Sequence, residues 1–462
     1  MLHTTAARTS APGTGCPCEL PAPCSFRCLV RARARTVVRG EPLLRNGYVL
    51  TLSSVVAAAI GALFWLLATR WYSAETVGRS YAALSMAALL SGIGQLNLGD
   101  VLVRFVPTAG RHSRRIVLRS YGLSTLVSGL AAGVFLLLLP SFAPQLGFLH
   151  SPGMVVAFTL SVAGYSLFVL QDGVLTGLRR PHWVLAENAL FAVAKVGLLG
   201  LLVAWVSTTG ILLSWSGALV VSIVVTNVYL FRRALPQHER SAPEGRPQPR
   251  MVRYATADYL GALLRGVAYN ITPLLVLNEL GPAASAHFAL AWVVAYTFYL
   301  AALNMGNSLL VEAVRAPERL SELGRRVLRH AGLLLAVGIG VVVALAPVVL
   351  SLFGGSYAEH GTTVLRLLAL SALPNLVLDV AVDVARARQA LRWMVGLQAA
   401  LCVMVLTLTV LLLPVIGLAG VGLAWLVAES VLAVPLLLML PTWLPRAARS
   451  RRPGPIGVGH VT

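Results

Sequence analysis

Apolar and polar positions in this chain separate on the scale of whole helices. Apolar runs of about 20 residues, each enough for a helix to cross a bilayer's hydrocarbon core, follow one another with short polar turns between them. The pattern predicts spans near 48–69, 81–103, 117–139, 154–177, 184–206 and 211–231. After a polar stretch it resumes at 254–278, 286–310, 331–352, 362–384, 393–413 and 417–441. The expected fold is an all-α integral membrane protein with twelve transmembrane helices.

The two sets of six resemble each other. Leu96-Asn97-Leu98-Gly99-Asp100-Val101-Leu102 returns as Leu303-Asn304-Met305-Gly306-Asn307-Ser308-Leu309, an offset of 207 residues. The same shift carries Tyr81 onto Phe288, Ala82 onto Ala289 and Pro140 onto Pro347. Six is an even number, so both halves enter the membrane with one orientation. The repeats are then parallel, related by an axis along the membrane normal, and two six-helix bundles so arranged flank a central cleft suited to alternating access. The expected division is a disordered or mis-started N-tail (1–44), an N-terminal lobe (45–235), a hydrophilic cytoplasmic linker (236–252), a C-terminal lobe (253–443) and a cytoplasmic tail (444–462).

Composition supports the membrane reading. Hydrophobic residues make up 57% of the chain and charged residues 12%, with a mean hydropathy of +0.78. The net charge of +20 is accounted for by the positive-inside rule rather than by a nucleic-acid partner. Of the 36 arginines, 32 fall in the two tails and in alternate loops; the opposite loops hold only Arg70 and Arg79, and Arg265 and Arg366 lie within spans. That asymmetry predicts a cell-membrane protein with both termini in the cytoplasm. Cys16, Cys18, Cys24 and Cys28 crowd the N-tail, but Cys16-Pro17-Cys18 is too tight for a zinc knuckle, and no metal site is expected.

Several short segments carry a family likeness. Ala74-Glu75-Thr76-Val77-Gly78-Arg79-Ser80-Tyr81 shows an acidic–x–x–Gly–x–x–Tyr entry to the second span. Leu98-Gly99-Asp100-Val101-Leu102-Val103-Arg104-Phe105-Val106-Pro107 follows at its end. Gly177-Leu178-Arg179-Arg180, with Asn188 and Lys195, marks the join of spans four and five. Together, over about residues 44–443, these resemble the polysaccharide-transporter branch of the multidrug/oligosaccharidyl-lipid/polysaccharide exporter superfamily. The C-terminal half departs from the pattern, with Gly281-Pro282 where a Glu would be expected. The resemblance implies export of a lipid-linked oligosaccharide, carried on polyprenyl phosphate or diphosphate, for an envelope polymer. Membrane lipids and envelope polysaccharide polymerase machinery are the other partners it implies.

Charged residues inside spans are costly and usually face a cavity. Lys195, the only lysine, lies in the middle of span five and Arg265 in the middle of span seven. Both are candidate contacts for an anionic phosphate, with Asn270, Asn304 and Asn307 as candidate partners of sugar hydroxyls. A carboxylate partner within a packing interface is the alternative for each cation. Glu429 reads as the only deeply placed carboxylate and a candidate ion-coupling group, with Asp258 and Asp379 beside it in that role; helix caps and loop arginines would also account for the two aspartates, and for Asp383. No nucleotide-binding loop, clustered metal motif or sizeable soluble domain is present, so neither an enzyme nor a cofactor is expected. The competing readings are a cation-coupled multidrug exporter of the same superfamily and a non-transporting scaffold for envelope assembly.

Overall fold

The computed structural model describes residues 60–241 and 252–445, all of whose regular elements are helical. The N-tail cysteines and most of the linker lie outside the described residues. The N-terminal lobe comprises α1 (Ile60–Trp71), α2 (Ala74–Gln95), α3 (Leu98–Phe105), α4 (Ser113–Phe142), α5 (Pro152–Gly177), α6 (Pro181–Leu202) and α7 (Gly210–Tyr229). After a π-helical turn over Leu230–Ala234, α8 (Leu235–Ser241) carries regular structure into the stretch expected to be linker.

The C-terminal lobe opens with a continuous helical run, Val252–Arg315, broken at Gly281 (φ 83, ψ 177). Only glycine adopts that backbone without strain, so Gly281-Pro282 divides the run into α9 (252–280) and α10 (282–315). Then come α11 (Leu320–Ser351), α12 (Gly355–Ala387), α13 (Leu391–Ile416), α14 (Leu418–Leu438) and the short α15 (Leu440–Trp443). Among the described residues nine helices are long and apolar enough to cross a membrane, and α2–α3, bent by 48°, makes a tenth. Two crossings from the run broken at Gly281, together with the apolar α1, account for the twelve spans expected.

Side-chain placement is that of a protein in lipid. The lipid-facing sides of α4 and α11 expose Leu130, Leu137, Leu333 and Val337, while Trp425, Phe64 and Phe158 fill the interior. Such apolar exposure on a monomer marks a surface meant for membrane or partner.

The repeated stretch takes two different shapes. In the N-terminal lobe Leu96 and Asn97 adopt positive φ (48° and 56°) and end α2. Their counterparts Leu303 and Asn304 stay within the helix. What the repeats share is close packing one turn further on. A side chain on Gly173 of α5 would strike the backbone of Gly99, and one on Gly306 would strike the carboxylate of Asp383 on α12. Spans two and eight therefore meet spans four and ten at equivalent places.

The lobes touch along α2 and the Val252–Arg315 run. At the arginine-poor end, Arg70 in the last turn of α1 donates to the Leu352 carbonyl after α11 (2.9 Å), and Asn278 near the end of α9 donates to the Phe142 carbonyl at the end of α4 (2.6 Å). These bonds join corresponding helix ends in opposite directions, as an internal two-fold axis requires. They hold the arginine-poor mouth of the cleft shut.

Candidate functional site: a central cleft with buried charges behind aromatic walls

A cavity of about 560 Å³ lies between the lobes. The N-terminal lobe contributes Trp65, Tyr81, Ser85, Gln95 and Tyr165, and the C-terminal lobe contributes Tyr269, Asn270, Trp292, Tyr296 and Thr297. Among the described residues the wall carries aromatic faces, hydroxyls and amides, and no lysine, arginine or carboxylate. Trp292 and Tyr296 stand one helical turn apart on α10, their rings 5.9 Å apart and stacked. Tyr259 donates to the Ile93 carbonyl (2.8 Å), a further link between the lobes towards the arginine-rich side.

The ionisable groups stand behind this wall. In the C-terminal lobe Arg265 on α9 pairs with Asp379 on α12 at 2.7 Å and reaches Gln398 of α13 at 3.4 Å. Asn375 donates to the other Asp379 oxygen (3.0 Å). Arg386, close to the arginine-rich end of α12, is held by Asp258 (2.8 Å) and Asp383 (3.0 Å). Glu429 of α14 is fully buried, and Tyr299, itself bonded to Ser371 at 2.6 Å, donates to it at 3.3 Å. The other Glu429 oxygen has no hydrogen-bond partner among the described residues. Glu429 is an electrostatic neighbour of Asp379 and Arg265. One turn before it, Trp425 packs on the cavity-lining Trp292 (4.9 Å) and Tyr269 (5.1 Å).

The N-terminal lobe repeats the arrangement with a cation. Lys195 on α6 lies 5.1 Å from the Phe64 ring and 5.3 Å from the Phe191 ring, distances typical of cation–π attraction. Phe64 packs on Trp65 and Trp65 on Tyr81, each at 5.3 Å, and the last two line the cavity. Lys195 has no carboxylate at ion-pair distance among the described residues.

The candidates named from sequence therefore separate. Asn270 is in the cavity wall, although its amide also donates to the Gly266 carbonyl (2.8 Å). Asn304 is half-buried on α10 and is not part of the wall; the side chain of Asn307 lies outside the described residues. Arg265, Asp379 and Glu429 belong to one cluster, Asp258 reaches it through Arg386, and Lys195 stands apart in the other lobe.

One reading needs correction: Glu429 is not the only deep carboxylate. Asp379 and Asp383 are buried, as is Glu187 on α6, near the half-buried Asp172 on α5. Neither Glu187 oxygen has a hydrogen-bond partner among the described residues. Their positions, Asp172 five residues before the end of span four and Glu187 three residues after the start of span five, were visible in the sequence; their burial was not. The aromatic wall was missed because tyrosines and tryptophans occur throughout membrane helices, although the Trp292–Tyr296–Tyr299 spacing already placed three on one face.

No family model matches the chain, and no curated protein does. Solved structures do. A multidrug-resistance MATE family transporter of the MOP superfamily in its inward-facing conformation aligns with a TM-score of 0.64 at 15% identity, covering 86% of this chain and 100% of that one. An outward-facing structure of such a transporter gives 0.62 at 14%, covering 88% and 97%. A MOP superfamily transporter from Pyrococcus furiosus, described by the reversed polarity of its binding pocket, gives 0.63 at 14%, covering 88% and 96%. At such identities the likeness speaks for architecture, and it spans nearly the whole of each molecule. The chain is a multi-pass membrane protein with the fold of the MATE transporters of the MOP superfamily.

Proposed function

We propose that the protein is an alternating-access flippase that moves a lipid-linked oligosaccharide across the cell membrane, with both termini cytoplasmic. The observation that carries this reading is the cleft wall, which is aromatic, rich in hydroxyls and amides and, among the described residues, free of fixed charge. Sugar rings present apolar faces to aromatic side chains and hydroxyls to Ser85, Gln95, Asn270 and Thr297. Arg265 is already engaged by Asp379, so contact with the anionic phosphate falls first to Lys195, which lies against Phe64, the ring neighbour of the cavity-lining Trp65.

Coupling follows from the C-terminal cluster. Its two guanidinium groups, Arg265 and Arg386, face four carboxylates, Asp258, Asp379, Asp383 and Glu429. That excess suits the cluster to hold a proton or an alkali cation. A substrate pressing on Trp292 and Tyr269 pushes on Trp425 and thereby on the helix carrying Glu429, which links the occupancy of cleft and cluster. The direct test is flipping of a fluorescent lipid-linked oligosaccharide in proteoliposomes. Wild-type protein should flip it, Trp292→Ala should slow it at least about tenfold, and an inert wild-type protein would end the proposal.

The second reading is a cation-coupled multidrug exporter. It is favoured by the multidrug description of the similar transporters and by the aromatic cleft, which also suits flat organic cations. Ethidium efflux from the same proteoliposomes separates the two.

A further inference from the structure

The lipid-facing side of α4 changes character abruptly along its length. Arg111, just before the helix, and Arg114, Arg115 and Arg119 in its first two turns are exposed on one side. From Leu123 onward the same side carries Leu126, Leu130, Val134 and Leu137, 47–81% exposed, and no charge. These positions recur every three or four residues, so they form one continuous stripe. The four arginines, with Leu118 and Glu239, line a shallow depression of about 480 Å³. Glu239, brought there by α8, is spent on the backbone N–H of Arg114 (3.1 Å). None of the four guanidinium groups has a hydrogen-bond or ion-pair partner among the described residues.

The counterpart helix in the other lobe is a built-in comparison. α11 also opens with arginines and continues with exposed Leu333, Val337 and Val341. There two of the arginines serve the fold, Arg325 donating to the Leu444 carbonyl and Arg326 engaged as well, while Arg329 is exposed. Positive-inside placement would produce both clusters alike; in the α4 cluster all four guanidinium groups are left unengaged among the described residues and turned outward around a depression.

We infer that this face of α4 is a binding site for one anionic phospholipid of the cytoplasmic leaflet, its phosphate held by Arg111, Arg114, Arg115 and Arg119 and its acyl chains laid along Leu123–Leu137. Guanidinium forks match phosphate oxygens bidentately, and the apolar stripe starts where a headgroup gives way to tails. No residue of α4 lines the central cavity, so this lipid is distinct from a transported substrate, and the inference does not depend on what the cleft carries.

The test measures binding of a fluorescent phosphatidylglycerol to the purified full-length protein in neutral detergent micelles. Phosphatidylcholine with the same tails and soluble glycerol phosphate serve as competitors. Saturable binding of one phosphatidylglycerol, displaced by neither competitor, is expected. R114Q/R115Q should weaken it about tenfold or more, the scale of one or two charge-assisted hydrogen bonds. R232Q/R233Q, which removes the same charge elsewhere on this end of the lobe, should not. Equal losses in both double variants would mean diffuse charge attraction and overturn the site. Displacement by phosphatidylcholine or by glycerol phosphate would overturn the selectivity or the role of the stripe. Should R114Q/R115Q fail to fold, Arg119→Gln alone makes the same comparison from an exposed, unpartnered side chain.

Discussion

Ser285 donates its hydroxyl to the carbonyl of Gly78 at 3.3 Å, and the two residues are 207 positions apart, the offset of the internal repeat. A residue touches its own repeat partner only beside the axis that relates the halves. This contact therefore marks where the two-fold axis passes, between the first turns of α2 and α10. There is no room for a side chain at Gly78, whose Cβ would run into the Pro282 carbonyl and the Ala286 amide.

Closure of the arginine-poor mouth should therefore depend on that glycine. Gly78→Leu is expected to hold the lobes apart at this end and reduce transport at least about tenfold at unchanged membrane abundance. The check is labelling of Tyr81→Cys by an impermeant thiol reagent from outside, which should rise in the Gly78→Leu background. Unchanged labelling and transport would show that the close approach is dispensable.

Arg265 and Asp379 should behave as a unit. Breaking a buried pair by removing one partner costs about 3–5 kcal/mol, because the other charge is left unpaired. Arg265→Leu and Asp379→Leu should each lower the melting temperature sharply, and the double variant should recover most of the loss. Arg265→Lys should retain part of both stability and transport, keeping the charge but losing the fork that also reaches Gln398. Additive losses in the double variant would refute the coupling.

Glu429→Gln keeps the shape and the hydrogen bond from Tyr299 and removes the titratable group. The variant should fold and bind substrate, but its transport should no longer respond to an imposed proton gradient. Flux measured with and without the gradient decides it; a preserved response would assign coupling to another carboxylate, Glu187 being the next to change.

Lys195→Met retains the apolar stem against Phe64 and Phe191 and removes the charge. Loss of the cation–π contacts alone should cost about 1 kcal/mol of stability. A fall in flipping of lipid-linked substrate well beyond that, with folding intact, is expected if Lys195 meets the phosphate. Wild-type flipping would make it structural.

Topology has its own test. On a cysteine-free background, Gly147→Cys or Thr209→Cys should be labelled by an impermeant reagent outside sealed cells, and Glu244→Cys should not. Labelling at position 244 would invert the orientation derived from the arginines.

Sequence alone determined the parts of this protein set by the solvent it lives in. Lipid offers no hydrogen bonds, so the chain must cross as helices about 20 residues long; the number of spans, their order and the duplication at 207 residues were all legible in the apolar pattern. Gly281-Pro282 was legible as a departure from the repeat, and the structure makes it the break between α9 and α10. Tertiary structure decided which polar groups meet. Arg265 lies 114 residues from Asp379, and Tyr299 lies 130 from Glu429; no local periodicity encodes such pairings, which follow from how α9, α10, α12 and α14 pack. The charged residues looked like the cleft's own from sequence, because a charge in lipid needs an interior. The fold satisfies that need one layer deeper, with aromatic rings facing the cavity and the charges paired or screened behind them.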